Sequence, residues 1–364
     1  MIKIAHLGDG HLGKRQYGLR KREEDTKVAV AHCFTEAIKQ AVDVIILPGD
    51  MFDTAKPSAD NVRHLARLVG KARGAGIAVI GIDGNHDNSA TSWLEVCDVD
   101  TFKDYEPIII KDTSFYGLNN YRSNAFQDKL CETVDHFVKE GTNIDVFIIH
   151  QAVAEMAGFS GLELKAQWVA EQLSMIKTKY VAMGDIHDYS EMEFEGMRFC
   201  YPGSCEMTAM GERREKFWVN VVIDGDKVDT QCMDIPVRKI KEFFLDTYED
   251  IGKMITEVQS SFQEHLVVPY VSKDILDGHK TVYRLLGELN VMARVMTATK
   301  DKEGKSATPE IDVPMWERSE AIDTVTEAIT SFHKPDSDEH QLIRRLLASP
   351  LSVNTICEEW LNGN

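Results

Sequence analysis

The sequence predicts an α/β chain: a buried sheet with helices over it, a second sheet completing a sandwich, then a small α+β unit and a helical tail. Three observations carry this. Short continuous apolar runs alternate with segments of helical spacing over the first two thirds of the chain. Five of those runs are followed at once by Asp, Asn or His. After Asp234-Ile235-Pro236 the texture changes to a mixture of strand-like and helix-like segments.

The elements follow in order. Residues 2–7 form an apolar strand running into Gly8-Asp9-Gly10-His11. Residues 28–40 have helical spacing through Val28, Ala31, Phe34 and Ile38. Residues 42–48 are a strand meeting Gly49-Asp50, and residues 61–74 repeat the helical pattern through Val62, Leu65, Leu68 and Val69. Strands at 77–82, 145–149 and 180–183 end at Gly84-Asn85-His86-Asp87, at His150 and at Gly184-Asp185-Ile186-His187. Uninterrupted apolar strands fit a sheet covered on both faces. In open α/β sheets ligands gather beyond the carboxyl ends of the strands, so residues distant in sequence can converge there. The β pieces at 197–201, 217–223 and 227–233 are expected to complete the second sheet. Beyond them, 239–246 reads as a strand, 251–265 and 279–289 as helices, 293–299 as a strand and 300–306 as a polar linker. In the tail, Ala321, Ile322, Val325, Ala328, Ile329 and Phe332 line one helical face. His333-Lys334-Pro335 breaks it, and Asp336 and Glu339 offer a capping box before Leu342, Ile343, Leu346 and Leu347.

Composition narrows the class. The 364 residues are 43% hydrophobic and 27% charged, which suits a globular protein. Seven cysteines without CxxC spacing fit reduced thiols in a cytoplasm rather than a disulfide framework or a zinc site. The first residues lack the pattern of a signal peptide, and no apolar run is long enough to span a membrane. The net charge of −18 argues against a protein that coats DNA unaided. It is compatible with an active site rich in carboxylates whose charge bound cations offset.

The strand-end residues supply a metal-ligand set of carboxylate, amide oxygen and imidazole. Asp50, the central carboxylate, is expected to bridge two divalent ions. Asp9, His11 and His187 complete one site; Asn85, His150 and Asp185 complete the other. Such a pair of ions clamps a phosphodiester and activates a water. His86 stands beside a ligand without being needed as one, so it is the candidate general acid or phosphate contact. Asp53 and Asp87 are candidates for supporting a ligand or the substrate. Lys14 and Arg15 in the run Lys14, Arg15, Arg20, Lys21, Arg22, and Arg213 and Arg214 in the run Arg213, Arg214, Lys216, are the DNA-binding candidates.

Taken singly, an Asp or Asn after a strand is a turn former or a helix cap. Taken together, these residues resemble a family. Gly8-Asp9-Gly10-His11, Gly49-Asp50, Gly84-Asn85-His86-Asp87 and His150 are similar to the motifs of the calcineurin-like metallophosphoesterases. Asp9-Gly10-His11-Leu12-Gly13, Gly49-Asp50-Met51-Phe52-Asp53 and Tyr201-Pro202-Gly203-Ser204 resemble the D-x-H-L-G, G-D-x-F-D and P-G-S elements of SbcD-type nuclease subunits. The family's G-H-x-H departs here, because Asp185 stands where the first His belongs.

The resemblance implies a four-layer α-β-β-α metallophosphoesterase sandwich over residues 1–235, a DNA-capping α+β domain over 236–310 and a helical partner-binding segment over 311–364. It implies a DNA exonuclease and endonuclease of recombination and repair. It would use two divalent ions, manganese above magnesium, and would act as a homodimer with an SbcC-like coiled-coil ATPase in the cytoplasm of a bacterial or phage-infected cell. Two other functions use the same residues: a phosphatase or cyclic-nucleotide phosphodiesterase of the same fold, and a scaffold that binds DNA ends through a degraded site. Asp185 speaks for the scaffold and His86 against it.

Overall fold

The computed structural model describes residues 1–300, apart from 88 and 158–163, together with residues 306 and 307. Contacts divide the chain into a unit from Met1 to Thr308 and a unit from Pro309 to Asn364. The expected tail helices, Cys357 and most of the polar linker lie outside the described residues.

The first sheet holds β1 (Ile2–His6), β2 (Val44–Leu47) and β3 (Ala78–Gly81) in parallel. Helices α1 (Arg20–Lys39) and α2 (Ala59–Gly74) connect them, and a short α3 (Trp93–Val96) follows. The second sheet begins with β4 (Ile108–Ile110) and β5 (Thr113–Leu118). Helix α4 (Ser123–Glu140) leads to β6 (Val146–His150), and α5 (Ala154–Ala157) and α6 (Ala166–Ser174) lead to β7 (Tyr180–Gly184). Then come β8 (Ser190–Phe194), β9 (Met197–Tyr201), β10 (Lys216–Asp224) and β11 (Lys227–Ile235). The strand orders are β11-β10-β1-β2-β3 and β4-β5-β6-β7-β9-β8.

Of the three late β pieces, only β9 joins the second sheet. β10 runs antiparallel to β1, with Ile4 opposite Val221, so β10 and β11 extend the first sheet instead. β1 pairs β2 along one edge and offers the other to β10. Val219, Val221 and Ile223 pack into the same inter-sheet layer as Ile2 and Ile4.

Strand periodicity builds the four layers. Val44 and Ile46 face the other sheet, meeting Val146, Ile148, Tyr180 and Ala182. Ile45 and Leu47 face outward onto Ala29, Val30, Phe34, Leu65 and Val69 of α1 and α2. Phe147, Ile149, Val181 and Met183 face the opposite way onto Phe126, Leu130, Val134, Val169 and Leu173 of α4 and α6. The central strands are thus buried on both faces, which is why they read as unbroken apolar runs. His6 belongs to the layer between the sheets, where its Nδ1 lies 2.8 Å from the Tyr180 hydroxyl.

Helix α1 starts at Arg20, two turns before the expected Val28. Its early inward face is polar, so hydrophobic spacing could not mark it. Arg22, 1% exposed, donates to Gln16 Oε1 (2.8 Å), Asp25 (2.8 Å), Glu206 (3.0 Å) and the Met207 carbonyl (3.1 Å). It is a structural cation, not a phosphate contact.

Residues after Pro236 build their own sheet. β12 (Ile240–Leu245), β13 (Leu266–Val271) and β14 (Met296–Thr297) are parallel, with α7 (Tyr248–Ser261) and α8 (Gly278–Glu288) packed on one face. A Thr247–Asp250 capping box fixes the start of α7, which ends earlier than the expected 265. The expected 293–299 strand shortens to Met296–Thr297, followed by a separate Thr299–Lys300 strand. The other face of the sheet, through Leu266, Val268 and Tyr270, rests on Tyr17, Leu19 and Met210. Arg238 adds a two-point ion pair to Asp25 of α1 (2.6 Å each).

Candidate metal centre

The loops after β1 and β2 are laced together. Gly10 and His11 donate their N–H groups to the Asp50 carbonyl (3.0 and 2.9 Å), and Leu12 donates to the Met51 carbonyl (2.9 Å). Asp9 bridges to Ser204, and the Cys205 N–H donates to the Asp9 carbonyl (2.9 Å). These contacts bring the first motif, Gly49-Asp50 and the Pro-Gly-Ser element to one place. Two glycines are required by the close approach. Gly49 has φ +106, and a Cβ there would lie 2.3 Å from His150 Nδ1. A Cβ on Gly84 would lie 2.1 Å from Asp50 Oδ1. Asp185 itself takes φ 99, an unusual conformation for a non-glycine residue.

Three groups of ligand atoms converge, one of them His11, Asp53 and His86. Asp9, His11 and His187 place one atom each within 4.8 Å of one another, and so do Asp9, Asp50 and His150. His187 Nε2 lies 3.4 Å from Asp9 Oδ2 and 3.1 Å from His11 Nε2. His150 Nε2 lies 3.5 Å from Asp50 Oδ2, 2.9 Å from Asn85 Oδ1 and 3.8 Å from Asp185 Oδ1. Asp50 is also 3.9 Å from His11 Nε2 and so stands between the groups of His187 and His150. The Asp185 N–H donates to the Asp9 carboxylate (3.2 Å).

The histidines are oriented from behind. His150 Nδ1–H donates to the Pro48 carbonyl (2.8 Å), which leaves Nε2 for the cluster. His11 Nδ1 meets Asp53 at 3.3 Å, and Lys14 meets the same Asp53 oxygen at 3.1 Å. His86, half-buried, donates its backbone N–H to Asp50 Oδ1 (2.8 Å) and its Nδ1–H to the Asp53 carbonyl (3.0 Å). Its Nε2 is therefore the end available for proton transfer.

Electrostatics follow from burying these groups. Burial pushes the Asp9 carboxyl up to about 7 against the pull of His150 and His187. Burial disfavours a proton on His150, but its hydrogen bond to Asp50 and the charges of Asp50, Asp9 and Asp185 raise it to about 10. Asp50 is desolvated too, yet His150 and His11 hold it below the usual carboxylate range. Three carboxylates, an amide oxygen and three imidazoles, with Asp9, His11, Asp50 and His150 buried, call for positive charge. That donor set fits divalent cations.

Other predicted residues fall outside the cluster. Asp87 is buried and accepts from the Gly84 N–H (2.7 Å) and the Phe52 N–H (3.2 Å), so it holds the loop. Burial, with Asp50 adding to it, raises its carboxyl to about 6. Arg15 pairs with Glu23 (2.7 Å), and Arg214 pairs with Glu242 of β12. Arg213 is exposed, its backbone N–H donating to Asp188 (2.8 Å). Lys216 is buried, not part of a surface run, and it bonds Glu212 (2.6 Å). Glu212, absent from the sequence reading, touches His187 Nδ1 at 3.0 Å. Nothing in the sequence marked it, since Gly211-Glu212-Arg213-Arg214-Glu215 reads as a charged turn.

A family described as the calcineurin-like phosphoesterase superfamily domain matches residues 2–223. The DNA double-strand break repair protein Mre11 of Saccharolobus solfataricus is 25% identical over 392 residues, covering all of both chains. The protein of the same name from Sulfurisphaera tokodaii is 26% identical over 334 residues, covering 86% of this chain and 84% of that one. For the Methanosarcina mazei protein the figures are 24% over 276 residues, 73% of this chain and 43% of the relative, so this chain spans less than half of that protein.

Proposed function

The chain belongs to the calcineurin-like phosphoesterase superfamily, and on that premise we propose that it is a two-metal DNA nuclease that processes DNA ends. The observation that carries the proposal is the convergence of Asp9, His11, Asp50, Asn85, His150, Asp185 and His187, residues at or just beyond the ends of five strands, around a shared Asp50. Similarity to proteins named for double-strand break repair supports DNA as the substrate.

Bound manganese or magnesium ions would supply Lewis acidity and a water of lowered pKa. Asp9, His11 and His187 would hold one ion and Asn85, His150 and Asp185 the other, with Asp50 common to both. His86 does the proton work: its Nδ1–H is fixed on Asp53, so Nε2 can hydrogen-bond the phosphate or protonate the leaving oxygen. Lys14, held beside the cluster by Asp53, is the cation placed to meet a phosphate. The sheet of β12, β13 and β14 is the proposed capping domain, with Arg213 and Arg214 beside it as DNA contacts. Residues 311–364 are the proposed docking segment for an SbcC-type coiled-coil ATPase.

The test is digestion of linear duplex DNA by the purified full chain with manganese, with and without an SbcC-type ATPase. The reading expects metal-dependent cleavage that the ATPase enhances. Hydrolysis of small phosphate esters with no cleavage of DNA would sink it in favour of a phosphatase.

A further inference from the structure

We propose that the buried Glu212 carboxylate, charge-balanced by Lys216 in a buried clamp, fixes the tautomer of His187, which makes Glu212 a positioning residue for one of the two metal sites. The inference deepens the dimetal reading above and rests on it.

Glu212 Oε1 lies 3.0 Å from His187 Nδ1. An ionised carboxylate can only accept, so Nδ1 carries the proton and the Nε2 lone pair faces Asp9 and His11. The Thr208 hydroxyl reinforces this, lying 2.9 Å from the same nitrogen and 2.5 Å from Glu212 Oε1. Glu212 is in turn locked from several directions. It accepts from the Ala209 N–H (2.9 Å), the Thr208 N–H (3.1 Å) and the Ser204 hydroxyl (3.2 Å).

Lys216 completes the arrangement. Its side chain is 1% exposed, and its Nζ donates to Glu212 Oε2 (2.6 Å), the His187 carbonyl (2.9 Å) and Ser204 Oγ (2.9 Å). The same pair therefore grips His187 at its ring and at its main chain. The ammonium also neutralises the carboxylate, so the acceptor on Nδ1 comes without extra net charge near the ions. A packing role would require only side chains of this size. The directed set of bonds to Nδ1 and to the carbonyl goes beyond that.

The test keeps volume and charge fixed and changes only the acceptor. Removing either partner alone would strand a buried charge, so double variants are compared. Glu212→Gln with Lys216→Met keeps an amide oxygen for Nδ1–H; Glu212→Leu with Lys216→Met removes it. Manganese binding to the full chain is measured by calorimetry. The parent is expected to bind two ions, and the Gln/Met protein is expected to bind both within about threefold of the parent. The Leu/Met protein should bind one ion about 10- to 100-fold more weakly, the usual effect of losing such a partner, with the other ion unchanged. Equal affinities in the two double variants would overturn the clamp while leaving the dimetal reading standing. A parent that binds no ions would overturn both.

A second measurement needs no variant. In the zinc-loaded parent, long-range ¹H–¹⁵N correlations of His187 should show a proton on Nδ1. A proton on Nε2 instead would refute the assignment.

Discussion

Gly84→Ala perturbs the centre without replacing a ligand. A methyl at residue 84 would sit 2.1 Å from Asp50 Oδ1 and 2.4 Å from the Asp50 nitrogen. Ordinary contact begins at 3.4 Å, so the carboxylate must retreat by about 1.3 Å or the loop must swing away. Either movement breaks the 2.8 Å hydrogen bond from the His86 N–H to Asp50 and shifts the bridging carboxylate relative to His150 and His11. A displacement of about 1 Å at a reacting centre can lower turnover roughly 10²-fold, and overpacking of this kind destabilises by about 1–3 kcal/mol. The assay is manganese-dependent digestion of linear DNA, run beside hydrolysis of a small phosphodiester and a thermal melt. Gly74→Ala is the control, because a Cβ on that helical glycine meets nothing within 4 Å. Parent-like turnover by Gly84→Ala on both substrates would show that Asp50 does not occupy the position on which the mechanism depends.

Three further outcomes are expected. His86→Ala should keep both ions and DNA binding while losing about 10²–10⁴-fold in turnover, since its ring is tied to the Asp53 carbonyl and lies edge-on to His11, and the variant keeps the backbone N–H that bonds Asp50; loss of an ion in metal titration would make it a ligand instead. Arg22→Met should lower unfolding stability by about 3–5 kcal/mol because it leaves Glu206 buried and unpaired, and adding Glu206→Met should restore most of that in urea melts; no recovery in the double variant would refute the pairing argument. Asp185→Ala should weaken the second ion and cut activity, whereas Asp185→His should stay active with its preference shifted from magnesium; titrations of both metals that match the parent would remove Asp185 from the ligand set.

The centre was legible in the sequence because its chemistry sits at the ends of strands buried on both faces. Such strands announce themselves as apolar runs, and the residue after each run is placed by the sheet. Asp9, Asp50, Asn85, His150 and Asp185 were therefore readable as a set, and the structure places their side chains together. What surrounds them was harder to read. Lys216 and Arg22 looked like members of solvated charge runs, yet both are buried and paired with carboxylates that tertiary contacts bring from elsewhere or from the far side of a turn. The early turns of α1 lacked an apolar stripe because Arg22 and Thr26 face inward there. The partners of β10 and β11 depended on the edge that β1 leaves open beside β2. Composition and spacing along those strands carry no record of it.

The account stands or falls on Asp50 as the residue shared by two ions. Bound manganese per chain and DNA hydrolysis should be measured together for the parent and for Asp50→Asn. The parent should hold two ions and cleave linear DNA, and Asp50→Asn should bind fewer ions and lose activity. A variant that still holds two ions and cleaves DNA at the parent rate would contradict the account.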